Sequence, residues 1–201
     1  MKTRTTFIAL LGCIATASAH AADFRFDNVH TQIFFAVSHL GYSHSTGRVS
    51  VKSGFFNFDD GDWGKSKVDA TIDIASLDMG NPGWSDKLKS AFFDASTYPT
   101  AHYVSKSVEK TGDKTGIVHG ELTLLGRTSP VDLQITFNRA GADGYTMRYI
   151  AGFSANATLK RSVFGITRSD KDIGDDVTIH MEVEGIRDGD AQKESNPPEH
   201  H

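Results

Sequence analysis

Val131-Asp132-Leu133-Gln134-Ile135-Thr136-Phe137 decides the fold. Every second residue is apolar, and those between are polar. Side chains of a strand point to alternate faces, so this segment has one dry face and one wet face. Val68-Asp69-Ala70-Thr71-Ile72-Asp73-Ile74 repeats the pattern, as does Val177-Thr178-Ile179-His180-Met181-Glu182-Val183-Glu184. Their apolar members are expected to face one interior. Asp69, Asp73, Asp132, Glu182 and Glu184 are expected to face solvent. A slip of one residue would invert the set.

Other segments extend the pattern. Strands are expected at Thr31–Leu40, Arg48–Phe58, Lys65–Ile74, His102–Val108, Gly116–Leu125, Ser129–Arg139, Tyr145–Lys160 and Asp176–Glu184. Gly112, Gly126, Gly141, Gly144 and Gly174 punctuate them as turn residues. Between Ala75 and Pro99 the alternation stops. Asn81-Pro82-Gly83 signals a turn, and Trp84–Ser90 reads as a short helix with Trp84 and Leu88 on one side. Trp84, Leu88, Phe92 and Phe93 make this excursion apolar enough to serve as a lid, a side wall or an end plug. About eight strands at short spacing give a sandwich or a closed antiparallel barrel. An eight-stranded barrel is just filled by side chains, or holds one slender ligand. The inward set contains Ala70, Ala101, Ser105, Gly120, Ala155 and Ala157 beside large aromatics, and the alternation alone leaves both outcomes open.

The ends read differently. Met1-Lys2-Thr3-Arg4 precedes an apolar run, Phe7 to Ala17, and Ala19-His20-Ala21 follows. This is the pattern of a cleaved secretory signal over 1–21, with the mature chain starting at Ala22 and working in the periplasm. Leu10-Leu11-Gly12-Cys13 offers a rival lipoprotein site, with Leu11 a poor match to its middle position. The sole cysteine, Cys13, lies in this segment, so the expected mature chain has no disulfide and no thiol chemistry. Residues 188–201, rich in Asp, Glu, Gln, Ser and Pro, read as a disordered tail. The span 22–187 reads as one domain.

Loss of Lys2 and Arg4 from the 21 basic residues would leave 19 against 25 acidic ones, a net charge of −6. That argues against a nucleic-acid partner. No G-x-S-x-G elbow, P-loop or H-E-x-x-H is present. Ser38 and Ser43 lie near His39 and His44, but strand neighbours face opposite ways. His30, His39, His44, His102 and His119 show no ligand spacing for a metal. Neither a catalytic residue nor a metal ligand is expected.

Five blocks resemble a known family. They are Asp27 with His30-Thr31, Ile33, Phe35, Val37 and His39-Leu40-Gly41; Lys87-Leu88-Lys89-Ser90-Ala91-Phe92-Phe93-Asp94 with Tyr98-Pro99; Gly120–Val131; Lys160-Arg161-Ser162-Val163-Phe164-Gly165-Ile166; and Gly174-Asp175-Asp176-Val177. Together they resemble the YceI-like polyisoprenoid-binding proteins over roughly Phe24 to Gly185. The chain departs from the family pattern at Thr31, Lys160 and Val163. The resemblance implies an all-β, extended eight-stranded antiparallel lipocalin-like barrel with one short helix in a long loop. It also implies an apolar cavity for an isoprenoid-chain lipid of quinone or polyprenyl type, no catalysis, periplasmic export and, in many members, a homodimer. Fatty acids, fatty amides or other amphiphiles are the alternative ligands, and a lipid carrier has reason to touch a membrane transiently. No cofactor other than the lipid is expected. The residues expected to line the cavity are Ile33, Phe35, Val37, Tyr103, Leu122, Phe137, Phe153, Ala155 and Phe164, with Leu88 and Phe92 in its wall. His39 and Arg161 are expected at a polar mouth, Arg161 alternatively in an ion pair with Asp170 or Asp172.

Overall fold

The alternating segments pair edge to edge until no edge is left. In the computed structural model, which describes residues 22–188, nine strands form one antiparallel sheet. They are β1 (Ala22–Phe26), β2 (Gln32–His39), β3 (Ser43–Phe58), β4 (Lys67–Asp78), β5 (Thr100–Lys110), β6 (Thr115–Leu124), β7 (Arg127–Ala142), β8 (Tyr149–Lys160) and β9 (Ile173–Arg187). Each strand from β2 to β9 pairs with the next, and β9 pairs back to β2, closing an eight-stranded barrel. β1 lies in line with β2, between the far ends of β3 and β9. The expected signal segment and nearly all of the expected tail lie outside the described residues.

Closure needs curvature, and bulges supply it. The register shifts between Val37 and His39, Val51 and Ser53, Ser105 and Ser107, and Phe137 and Arg139. Gly54 sits at φ +129, where a Cβ would run into the Asp69 carbonyl and the Ala70 backbone. Only glycine allows that approach of β3 to β4.

Four departures from the sequence reading exceed three residues. β1 was not expected, because five residues carry too little alternation to register. β3 begins at Ser43 rather than Arg48, since β2 pairs with its polar start through Val37↔Ser45 and Ser38↔His44. β4 continues past Ile74 to Asp78, where Arg48 bonds Asp78 at 2.9 Å. Tyr145–Arg148 is a turn rather than the start of β8, because the Asp143 carboxylate accepts from the backbone of Tyr145 and Thr146.

The helix α1 (Pro82–Ala91) starts where the turn signal lies. The Asn81 side chain accepts from the Trp84 N–H at 3.1 Å, and Pro82 opens the helix at a position with no N–H to satisfy. A short 3-10 turn, Trp63–Lys65, lies between β3 and β4, and a second, Arg161–Phe164, follows β8. Among the described residues no helix is long and apolar enough to cross a membrane.

The two barrel ends differ. Around the β3–β4 loop, aromatic rings close the interior. Phe58 lies 4.9 Å from Phe153, 5.0 Å from Phe137 and 5.6 Å from Trp63, while Phe24 stacks on Phe56 at 5.0 Å. At the other end lie the β2–β3 turn, α1 with its flanking loops, the β6–β7 turn and the 161–172 segment.

Candidate functional site

Between these ends the barrel encloses a cavity of about 570 Å³. That is within the roughly 300–1,000 Å³ of ligand pockets. Its wall is apolar almost throughout. Val68, Ala70, Ile72 and Ile74 of β4 line it, as do Val131, Leu133 and Ile135 of β7, and Val177, Ile179, Met181 and Val183 of β9. These are the dry faces of the three alternating segments. Asp69, Asp73, Asp132, Glu182 and Glu184 are absent from the wall. Asp69 instead meets His102 at 2.8 Å, and Asp132 meets His119 at 3.0 Å, outside the barrel.

Most of the expected lining residues come together here. Ile33, Phe35, Val37 and His39 enter from β2, Tyr103 from β5, Leu122 from β6, and Phe153 and Ala155 from β8. Trp84, Leu88, Phe92 and Phe93 all lie on the wall, so the excursion flanks the cavity rather than stopping the aromatic end. Two expected residues do not line it. Phe137 belongs to the aromatic closure with Phe58, Trp63 and Phe153, next to its own bulge. Phe164 is only 2% exposed, packed in the core by the tight turn that ends at Gly165.

Small inward residues have two fates. Ala70, Ala101 and Ala155 face the cavity and leave it open. Gly120, Ser105 and Ala157 do not line it. Above Gly120 lies the Tyr103 ring, and a Cβ there would collide with it. The Tyr103 hydroxyl is shared between the carbonyls of Val118 at 3.2 Å and Val131 at 3.1 Å. Burial pushes its phenol far above the ordinary tyrosine value, so it stays protonated. The space over Gly120 is therefore filled by an aromatic, while the space at Ala155 is not.

Arg161 borders the cavity but is turned away from a ligand role. It is buried, and its guanidinium donates to four backbone carbonyls: Gly174 at 2.8 Å, Ile166 at 2.6 Å, Arg168 at 2.9 Å and Ile173 at 2.8 Å. This clamps the 166–174 loop. Asp170 and Asp172 make no ion pair with it among the described residues; Asp175 binds the Ser162 backbone and hydroxyl instead. His39 lies at the end of β2, its ring 6.3 Å from that of Trp84 in an edge contact.

Leu77, Met79 and Ile166 also line the wall, in loops or strand ends where no period of two could reveal them. Trp63 lines the closed end, and its indole N–H is the buried side-chain polar atom without a partner among the described residues. Away from the cavity, Asp27, His30 and Glu184 each bring a ligand atom to within 4.8 Å of the others. His30 is already held by Asp27 at 2.8 Å. No spacing along the chain points to this cluster, because Glu184 comes from the last strand.

Residues 24–185 match the family model described as the YceI-like domain. A UPF0312 protein of Ectopseudomonas mendocina is 34% identical over 190 residues, covering 93% of this chain and 99% of that protein. One from Serratia proteamaculans is 37% identical, over 87% of this chain and 91% of its own. Among solved structures, the YCEI protein of Campylobacter jejuni superposes with a TM-score of 0.64 at 29% identity, covering 75% of this chain and 90% of that one. BcnA of Burkholderia cenocepacia shares the fold at a TM-score of 0.69 and 24% identity, over 79% and 98%. A polyisoprenoid binding domain from Saccharophagus degradans shares it at 0.61 and 16% identity, over 84% and 100%.

Proposed function

The chain belongs to the YceI-like family, and on that premise we propose that it is a non-catalytic binding protein that carries an isoprenoid-chain lipid through the periplasm. One observation carries this reading: a closed barrel whose interior is left empty by its own side chains and is apolar along its wall. An aqueous substrate would gain nothing from such a wall. A slender, methyl-branched chain gains about 25 cal/mol for each Å² of apolar surface removed from water. The name of the Saccharophagus degradans domain is consistent with that ligand class. Periplasmic export rests on the Met1–Ala21 pattern, with cleavage after Ala21. The ligand-contacting set is Ile33, Phe35, Val37, Leu88, Phe92, Tyr103, Leu122, Phe153 and Ala155, with His39 at the rim.

Mass spectrometry of the organic extract of purified protein tests the reading. A stoichiometric quinone or polyprenyl species supports it. A fatty acid or fatty amide in its place shifts the reading to a general amphiphile binder, and an empty extract after mild purification overturns it. Ala155→Trp gives the complementary test. Ala155 is 3% exposed on the cavity wall, between Ile135 and Met181 on the neighbouring strands. A tryptophan there fills the space a ligand would take. The folded variant is expected to lose most of its lipid, and wild-type occupancy would place the ligand elsewhere. N-terminal sequencing of exported protein is expected to read Ala22 first; a lipid-modified Cys13 would refute the cleaved signal.

A further inference from the structure

One serine interrupts the apolar wall of the cavity without a bond to hold it. Ser45 of β3 is 9% exposed. It pairs with Val37 of β2, and both line the cavity, so its side chain points inward. The other buried hydroxyl and charged side chains are engaged. Thr31 donates to the Glu184 carbonyl, Ser85 to that of Asn81 and Arg161 to its four carbonyls, while Asp59 and Ser66 accept from backbone N–H groups. The Ser45 hydroxyl makes no hydrogen bond among the described residues. Unlike the sealed Trp63 N–H, it keeps surface open to the cavity. A hydroxyl that faces an apolar space without a partner costs free energy. A valine would complete the wall without that cost, as Val49 and Val51 do further along the same face. Gly47 lies between them, but a Cβ there would run into the Phe35 ring and Met79, so packing fills the space over it. Packing does not explain the serine.

A second polar group stands beside it. His39, the next inward residue of β2, lies diagonally across from Ser45, and diagonal positions are roughly 7–8 Å apart. Its ring has an edge contact with Trp84 and makes no hydrogen bond or ion pair among the described residues. Both groups lie just inside the mouth, the barrel end opposite the aromatic closure. The lysine, arginine and aspartate of the cavity wall are Lys87, Arg161 and Asp172. Arg161 is taken up by its four carbonyls, and Lys87 and Asp172 are exposed and of opposite sign. A phosphate or carboxylate seated at Ser45 would leave water with no net positive charge from these three free to receive it.

We infer that Ser45 and His39 form the head-group subsite of the cavity, and that it takes an uncharged head bearing a carbonyl or hydroxyl oxygen. The serine hydroxyl donates to a carbonyl or accepts from a hydroxyl, and an imidazole can do either. The chain of the lipid then runs inward along the apolar wall. This inference rests on the reading of the cavity as a lipid site and narrows it to uncharged heads, a quinone ring or an alcohol rather than a polyprenyl phosphate.

Four probes that share one farnesyl chain separate the contributions: farnesene, farnesol, a farnesyl benzoquinone and farnesyl diphosphate. Purified protein, stripped of lipid on a hydrophobic resin, is titrated calorimetrically with each probe delivered from cyclodextrin. Ser45→Ala is expected to weaken farnesol and the quinone about fivefold, the worth of one neutral hydrogen bond, and to change farnesene by less than about twofold. His39→Leu is expected to show the same selectivity. The wild type is expected to bind farnesol at least about tenfold tighter than the diphosphate. The melting temperature of the stripped Ser45→Ala protein should hold or rise, because an unbonded hydroxyl leaves the interior. Equal losses for farnesene and farnesol, or no loss for either, overturn the subsite. So does a lowered melting temperature with unchanged affinities, or a diphosphate that binds as tightly as farnesol. Failure of all four probes to bind sinks the lipid reading and the subsite with it, whereas tight farnesene binding with no response of farnesol or the quinone to Ser45→Ala sinks the subsite alone.

Discussion

Replacing Arg161 with methionine is expected to loosen the mouth far more than it changes the cavity. The substitution removes four N–H···O=C bonds of 2.6–2.9 Å that tie the start of the 161–174 segment to its middle and its end. Bonds from a charged donor are worth roughly 1.5–3 kcal/mol each, which taken four times gives roughly 6–12 kcal/mol. Two effects reduce that. The carbonyls of Gly174, Arg168 and Ile173 are only part-buried, so water can replace the guanidinium there. Arg161 also makes no ion pair among the described residues, so its loss relieves the cost of a buried charge. The Ile166 carbonyl stays dry, and an orphaned buried acceptor costs about 1–3 kcal/mol. A net loss of about 3–5 kcal/mol follows. For a domain of this size each kcal/mol lowers the melting temperature by roughly 2–4 °C, so a fall of roughly 6–20 °C is expected. Arg161→Lys recovers little of it, because one ammonium cannot reach carbonyls spread around a planar fork. Thermal unfolding followed by circular dichroism measures both. A fall under about 2 °C for Arg161→Met, or full recovery with lysine, would refute the clamp.

Three further outcomes are expected. Gly120→Ala drives a methyl into the Tyr103 ring and its two carbonyl bonds, and is expected to cost roughly 1–3 kcal/mol in chemical denaturation, whereas a neutral result would mean the ring moves freely. Leu88→Ala with Phe92→Ala removes half-buried wall residues of the mouth and is expected to lower lipid retention more than melting temperature; the reverse order would make α1 a structural plug. The hydrogen bond from His119 to Asp132, with Glu109 beside it, raises the imidazole above its ordinary 6.5. The protonated form is favoured by folding, so this support is complete below the ordinary value and fades as pH rises through the raised one. The stability gap between wild type and His119→Gln should therefore be wider at about pH 5.5 than at about pH 8.5, and a gap that widens with pH would refute the pairing.

Alternation alone determined which residues of β4, β7 and β9 face inward, because a strand offers its side chains only two directions and water sorts them. Val131, Leu133 and Ile135 could be placed from seven letters of sequence. The helix start was equally legible, since Asn81 and Pro82 act through bonds within one turn. Other features depend on residues far apart in the chain. Phe137 obeys the alternation, yet it lies in the aromatic closure, because a bulge beside it and Phe58 from β3 decide where its ring goes. Gly120 and Ala155 look alike as small inward residues, but the Tyr103 ring covers one and the other lies on the cavity wall. Arg161 carries a charge that sequence reading gives to a ligand or an acid, and only the folded loop supplies the four carbonyls that take it. The period of a strand fixes which way a side chain points. Whether it meets a partner or empty space depends on the opposite wall, and the barrel brings that wall from another part of the chain.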